Sequence, residues 1–347
     1  MTVVTGGSGP LVLVVNAGSS SLKARLLDRH DQVTWQGQTD WRPDAADAAV
    51  EAWLLPALAP WSAALALVGH RVVHGGTDFT VPTRLSTAVR ERLAALVPLA
   101  PLHNGPALAV MEALSRWRPD LPQWACFDTA FHHTLPPAAS TYALPADWRE
   151  RGLRRFGFHG LNHQHVSEVV ATERLISCHL GAGCSLCAIH EGRSVATTMG
   201  FTPLEGLVMA TRSGSVDPGL LLHLLRQGVE PEELARALNQ RSGLLGLSNG
   251  LSGSMKTLRA AAAGNTNAAL AIAVFRQRLL EGIGAMAACL GGVDVIALTG
   301  GIGEHDQALR EELQRALAWL PAVTWTVVPA DEEGLIARQC RAAAGMG

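Results

Sequence analysis

An apolar run that breaks into a glycine-centred turn and then resumes occurs twice in this chain, and the repetition constrains its fold more than any other feature. The first copy, "LVLVVNAGSSSLKA", occupies residues 11–24, and the second, "LISCHLGAGCSLCA", occupies 175–188. The two turns start 165 residues apart in a chain of 347. Val12–Val15 and Leu22–Leu27 read as strands joined by a turn that presents Ser19, Ser20, Ser21 and their amides, with Lys23 just beyond. Amides, hydroxyls and ammonium are donors and phosphate is all acceptor, so such a tip suits a phosphate. The period predicts two related α/β domains, each offering one hairpin tip, a pair suited to gripping a polyphosphate from both sides.

Between the hairpins, strand and helix signals alternate. Ser86 reads as an N-cap, Val89, Leu93, Leu96 and Val97 keep helical spacing, and Pro98 ends the helix. "WACF" (124–127) reads as a buried strand, and residues 293–313 read as strand, glycine turn and helix. That turn would place amides at a helix start, although neither a Walker A motif nor a complete GxGxxG is present. The formal charge of −2 gives no reason to expect a nucleic acid or an anionic membrane as partner. No uninterrupted apolar run reaches spanning length, and "MTVVTGGSGP" reads as a loose leader without signal-peptide character. A cytoplasmic protein is the expectation.

Six cysteines in 347 residues do not make a disulfide scaffold. Cys184 and Cys187 form a CxxC, but positions three apart on a strand face opposite sides and suit neither redox pairing nor metal ligation. His159, His163 and His165 lack the glutamate of HExxH and read as structural or phosphate-contacting, while His103, His132 and His133 read as hydrogen-bonding cleft or scaffold residues. Of 28 basic residues only Lys23 and Lys256 are lysines, and both sit in glycine- or serine-rich turns.

Eight segments then occur in order: "VVNAGSSSLK", "GHRVVHGG", "PLHNGPAL", "FDTAFH", "FGFHGLNH", "MGFTPLEGL", "TRSG" and "TGGIGE". Together, from about residue 11 to about residue 340, they resemble the acetate kinase family of the acetate and sugar kinase, heat-shock and actin superfamily. The resemblance implies a duplicated two-domain, actin-like (ribonuclease H-like) α/β fold with an interdomain cleft. It implies domains 1–131 with 334–347 and 132–333, and a homodimer. Its expected substrates are ATP or ADP with acetate or acetyl phosphate, and its expected metal is Mg²⁺, with Mn²⁺ as a substitute.

Residue by residue, the resemblance implies that Asp128, His159 and Arg212 are catalytic. Arg71 would hold the carboxylate substrate, with Val73, Leu102, Phe158 and Pro203 lining a methyl pocket. Asn16 and Glu332 would serve the metal. The nucleotide would meet Lys23, His179, Leu180, Gly181, Ala182, Gly183, Ser254, Met255, Lys256, Gly301, Ile302, Gly303, Glu304 and His305. A carboxylate is ionised at neutral pH and needs positioning and charge cancellation more than a base. The nucleotide side departs from the family pattern: Ala182 replaces an asparagine, Ser254 and Lys256 replace an aspartate and an arginine, and His305 replaces an asparagine. Hence the rival readings are a propionate kinase, a kinase with another donor such as pyrophosphate, and a non-catalytic paralogue.

Overall fold

The computed structural model describes residues 2–3, 9–18, 21–41 and 46–346, the side chains of 2, 3, 46, 47, 101 and 102 excepted. Ser19 and Ser20, expected at the first hairpin tip, lie outside the described residues, as does the side chain of Leu102. The chain forms two compact units, residues 1–133 with 331–347 and residues 134–330.

The first unit is built on a seven-stranded sheet of order β1-β4-β3-β2-β5-β7-β6. Its strands are β1 (Thr2–Val3), β2 (Leu11–Ala17), β3 (Ser21–Leu27), β4 (Val33–Asp40), β5 (Leu65–Val72), β6 (Thr83–Arg84) and β7 (Gln123–Phe127). Strand β2 pairs antiparallel with β3 but parallel with β5, and β5 is parallel with β7. A strand in that position is covered on both faces, which is why 11–15 reads as an unbroken apolar run. Leu11, Leu13, Val15 and Ala17 join one core with Val110, Met111 and Leu114 of helix Pro101–Trp117. The opposite face of β2 and β5 carries the C-terminal helix Glu332–Ala343. A Cβ on Gly69 would stand 2.6 Å from Ile336 Cγ2 and 2.9 Å from Cys340 Sγ, so glycine is what lets that helix lie close. The helix Thr87–Ala95 begins where expected, with Ser86 Oγ accepting from Val89 N.

The second unit repeats the plan in a five-stranded sheet of order β10-β9-β8-β11-β12. Its strands are β8 (Arg174–Leu180), β9 (Cys184–His190), β10 (Arg193–Thr197), β11 (Val295–Thr299) and β12 (Thr324–Val327). Three antiparallel strands in a meander are followed by β11, which pairs in parallel with β8, and by β12, which pairs in parallel with β11. The stretch β4-β3-β2-β5-β7 has the same order and the same directions. The two hairpin motifs occupy equivalent turns, so the sequence repeat is a repeat of topology. Helix Thr266–Leu290 packs on β9, β8 and β10 through Phe275, Leu279, Ile283, Met286 and Leu290, a spacing of three and four. Asn265 caps its start and Gly291, at φ 64°, ends it. The expected glycine turn after β11 is instead a short helix, Gly300–His305, that follows the strand directly.

Candidate active site

In the first unit, the carboxyl ends of the parallel strands gather the charged residues, the edge where open α/β sheets bind ligands. Asn16 lies near the end of β2, Arg71 near the end of β5, and Asp128 directly after β7. Arg71 Nε and Nη2 donate to the two carboxylate oxygens of Asp128 at 3.0 and 2.6 Å. Its Nη1 donates to Asn16 Oδ1 at 3.3 Å, and Glu332 Oε2 lies 3.4 Å from Nε. One guanidinium thus faces two carboxylates, a surplus of one negative charge. Burial pushes the Asp128 carboxyl up to about 6 against the pull of Arg71, and Glu332 adds to the rise. Burial would lower the Arg71 pKa, but Asp128 and Glu332 outweigh it and hold the guanidinium more firmly protonated than usual.

The motifs around this cluster hold its frame. The buried Asn104 accepts from His74 N at 3.1 Å and donates to His74 O at 2.9 Å, tying "PLHNGPAL" to "GHRVVHGG". Gly75 N donates to Thr129 Oγ1 at 3.0 Å, and Asp128 N to Val72 O at 3.0 Å, so the ends of β5 and β7 are fixed together. His70 Nε2 lies 2.7 Å from Gln123 Oε1, and burial pulls its pKa down to about 4, which leaves a neutral scaffold histidine. Val73 is buried just beyond β5, and Lys23 is exposed on β3 opposite Asn16.

The second unit gathers its residues at the tip of the β8–β9 hairpin. His159 precedes helix Gly160–Val170 with φ 56° and ψ 22°, a left-handed backbone uncommon away from glycine. Its ring stacks on His179 with centroids 4.2 Å apart. A Cβ on Gly183 would stand 3.2 Å from His159 Cε1 and Nε2 and 3.6 Å from Arg212 Nη1. Glycine at the tip therefore brings a histidine and an arginine to one point. Arg212 Nη1 donates to Pro203 O at 3.0 Å, and Phe158 is buried. The loop that carries Pro203 is fixed by Glu205, which binds Arg155 Nη2 and Tyr142 Oη, each at 2.5 Å.

Beside this tip opens a cavity of about 890 Å³ within the second unit. Gly181, Ala182, Ser254, Met255, Lys256, Gly301, Ile302 and His305 line it, eight of the residues assigned to the nucleotide. Its wall also includes Arg259 and Asp306, which the sequence reading missed; Arg259 Nε donates to Asp306 Oδ2 at 2.6 Å and Nη1 to Glu312 at 3.1 Å. Adjacency of Asp306 to His305 was the one available signal. Leu180 and Gly303 are buried, and Glu304 Oε1 accepts from Gly300 N and Ala330 N, each at 3.0 Å. Ser254 Oγ accepts from Thr257 N at 3.4 Å and so caps helix Met255–Ala261. Cys184 and Cys187 are buried and hydrogen-bonded apart, to Gly181 O and Ser194 Oγ, and burial raises each thiol to about 12.

Comparison with known proteins gives the family of the chain. Residues 43–325 match the model of the acetokinase family. The chain is 45% identical over 343 residues to the acetate kinase of Synechococcus sp. (strain JA-2-3B'a(2-13)), covering 86% of this chain and 85% of that protein. It is 42% identical over 356 residues to the acetate kinase of Nostoc punctiforme, covering 89% and 88%. Among solved structures, Porphyromonas gingivalis acetate kinase superposes with a TM-score of 0.87 at 32% identity, covering 97% of this chain and all of that one. A propionate kinase from Francisella tularensis superposes with the same score at 31% identity, covering 95% and 98%. With a family model matched over most of its length and relatives at this identity, the chain belongs to the acetokinase family.

Proposed function

We propose that this kinase interconverts ATP plus acetate with ADP plus acetyl phosphate by direct in-line transfer. The observation that carries this reading is the double hydrogen bond from Arg71 to Asp128. An alcohol acceptor needs a base to take its proton, yet both oxygens of the buried carboxylate here are held by a guanidinium. Such a site suits an acceptor that arrives already ionised, and acetate does. Arg71 positions the carboxylate, Arg212 and His159 neutralise the transferring phosphoryl group, and Asp128 holds Arg71 in place. By the family resemblance, Val73, Leu102, Phe158 and Pro203 are the residues assigned to the pocket for the methyl group. Such a pocket separates acids by only ~1–3 kcal/mol per methylene, so propionate would be a poorer substrate. That second reading, propionate as substrate, is favoured by the equal fold match to the Francisella propionate kinase.

The oxygen donors near Arg71 fit Mg²⁺, because they are hard ligands with a surplus negative charge. Asn16 and Glu332 would hold it, and it would supply charge neutralisation for the phosphates. The nucleotide occupies the cavity lined by Gly181, Ala182, Ser254, Lys256, Gly301 and His305, with Lys23, His179, Leu180, Gly183, Gly303 and Glu304 supporting its phosphate end. A cytoplasmic homodimer is part of the proposal, supported by the exposed Leu220, Leu222 and Leu225 of helix Pro218–Arg226. Among the described residues, no helix is long and apolar enough to cross a membrane. The test is hydroxamate trapping of acyl phosphate with several acids and donors. Acetyl hydroxamate formed from ATP and acetate is the expected result; phosphorylation of a sugar without acyl phosphate would overturn the reading.

A further inference from the structure

Behind His159 lies a chain of hydrogen bonds that no role above uses. His159 Nδ1 is 2.9 Å from Ser185 Oγ, Ser185 Oγ is 2.8 Å from His163 Nε2, and His163 Nδ1 is 2.8 Å from Ser177 Oγ. Ser185, His163 and Ser177 are fully buried, so bulk water does not interrupt the chain. They come from three neighbouring elements: β9, helix Gly160–Val170 and β8. Charged and titratable groups around His159 are His179, stacked on its ring, and Arg212, which shares its approach to Gly183.

We infer that Ser177, His163 and Ser185 are positioning residues that fix His159 as the tautomer with its proton on Nε2, the atom facing the hairpin tip. The inference rests on the reading that His159 contacts the transferring phosphoryl group. Phosphoryl oxygens only accept, so His159 must offer an N–H from Nε2. A neutral imidazole protonated there must accept at Nδ1, and Ser185 supplies that proton. Its single hydrogen spent, Ser185 Oγ accepts from His163 Nε2–H. His163 Nδ1 then has only its lone pair and accepts from Ser177 Oγ–H. Every proton is assigned, and all bonds point toward the phosphoryl group. The reverse polarity would leave a bare lone pair on His159 Nε2 facing anionic oxygens. Successive bonds in one direction also polarise one another, which makes the terminal N–H a stronger donor without a net charge on the ring.

The test combines ¹⁵N NMR of the histidine rings with steady-state kinetics on the full chain. With a β,γ-methylene ATP analogue bound, His159 should show a protonated Nε2 and an unprotonated Nδ1, and Ser185→Ala should lose that assignment. The same variant should lose about 10- to 100-fold in kcat while the KM for acetate and ATP stays within about twofold. Ser185→Cys should restore part of the loss, and Ser177→Ala, two bonds farther away, should cost about threefold. Wild-type His159 protonated on Nδ1, or Ser185→Ala with unchanged kcat and tautomer, overturns the inference. His159→Ala separates the two levels: full activity there removes the phosphoryl contact itself, whereas lost activity there beside an unaffected Ser185→Ala removes only the chain.

Discussion

The two units share one plan of five strands and one hairpin turn, yet they equip the same sheet edge with opposite chemistry. In the first, that edge holds an ion cluster: Arg71 against Asp128 and Glu332, with Asn16 beside them. In the second it holds close-approaching glycines, a histidine–serine chain and a cavity. The scaffold thus supplies an edge, and side chains at a few positions decide what it binds. On the proposed function, duplication lets one copy carry charge for an anionic acceptor while the other is shaped for a nucleotide. Arg71, near the end of β5, and Gly183, in the β8–β9 turn, sit at different points of the shared plan, one at the end of a parallel strand and one in the hairpin.

The largest expected effects fall on the ion cluster. Arg71→Ala should cut kcat by ~10²–10³ and also destabilise the fold by about 3–5 kcal/mol, because Asp128 is left buried without its partner. Adding Asp128→Asn should return most of that stability and none of the activity; urea unfolding of both variants measures it. Arg212→Ala should cost as much turnover but less stability, since its Nη1 donates to a neutral backbone carbonyl, Pro203 O, where Arg71 holds a buried carboxylate. Equal destabilisation by both arginines would erase the contrast between the units.

A smaller effect comes from the second hairpin. Gly183→Ala puts a methyl 3.2 Å from His159, and kcat should fall about tenfold to a hundredfold with stability nearly unchanged. Thermal unfolding beside kcat resolves the two, and a variant as active as wild type would detach Gly183 from the chemistry.

The pH dependences also differ in sign within the first unit. Asp128, raised to about 6 from the ordinary 3.8, takes up its proton earlier in the folded state than in the unfolded. Its contribution to stability therefore rises as pH falls from above 6 toward 3.8, while activity falls as Arg71 loses its charged partner. His70, lowered to about 4 from 6.5, works the other way: stability is lost as pH falls from 6.5 toward 4. Urea titrations of wild type, Asp128→Asn and His70→Gln across pH 4–7 should show the acid-side gain missing in the first variant and the acid-side loss missing in the second.

The smallest effect is on nucleotide recognition. Ser254 Oγ accepts the helix-capping bond from Thr257 N, and Ala182 has no side-chain amide. Hence Ala182→Asn with Ser254→Asp and Lys256→Arg should lower the ATP KM about three- to tenfold, the equivalent of one net hydrogen bond at ~0.5–1.5 kcal/mol. No gain would mean the substitutions are neutral.

The repeat of the hairpin was legible because an apolar strand buried on both faces writes an unbroken run, and the glycine turn punctuates it. Ser86, the strand at 124–127 and the helix after Ser86 were legible for similarly local reasons. That helix nonetheless ends at Ala95, and Pro98 lies within a separate 3-10 turn, Val97–Leu99, that follows it. Arg259 and Asp306 were not: they meet across 47 positions, and nothing in the local pattern of either announces the other. The link between Ser185 and His163 was hidden likewise, one inside a strand and one on a helix, joined only by packing. The site residues came from the order of eight motifs, because an arginine in an arginine-rich chain carries no signature of its own.

The division of labour is tested most directly by calorimetric titration of ADP, without added metal, into the full-length Arg71→Ala/Asp128→Asn variant. With the first unit's ion cluster dismantled and the second unit's cavity untouched, the affinity for ADP should stay within about threefold of wild type while turnover is lost. Loss of ADP binding in parallel with turnover would contradict the account.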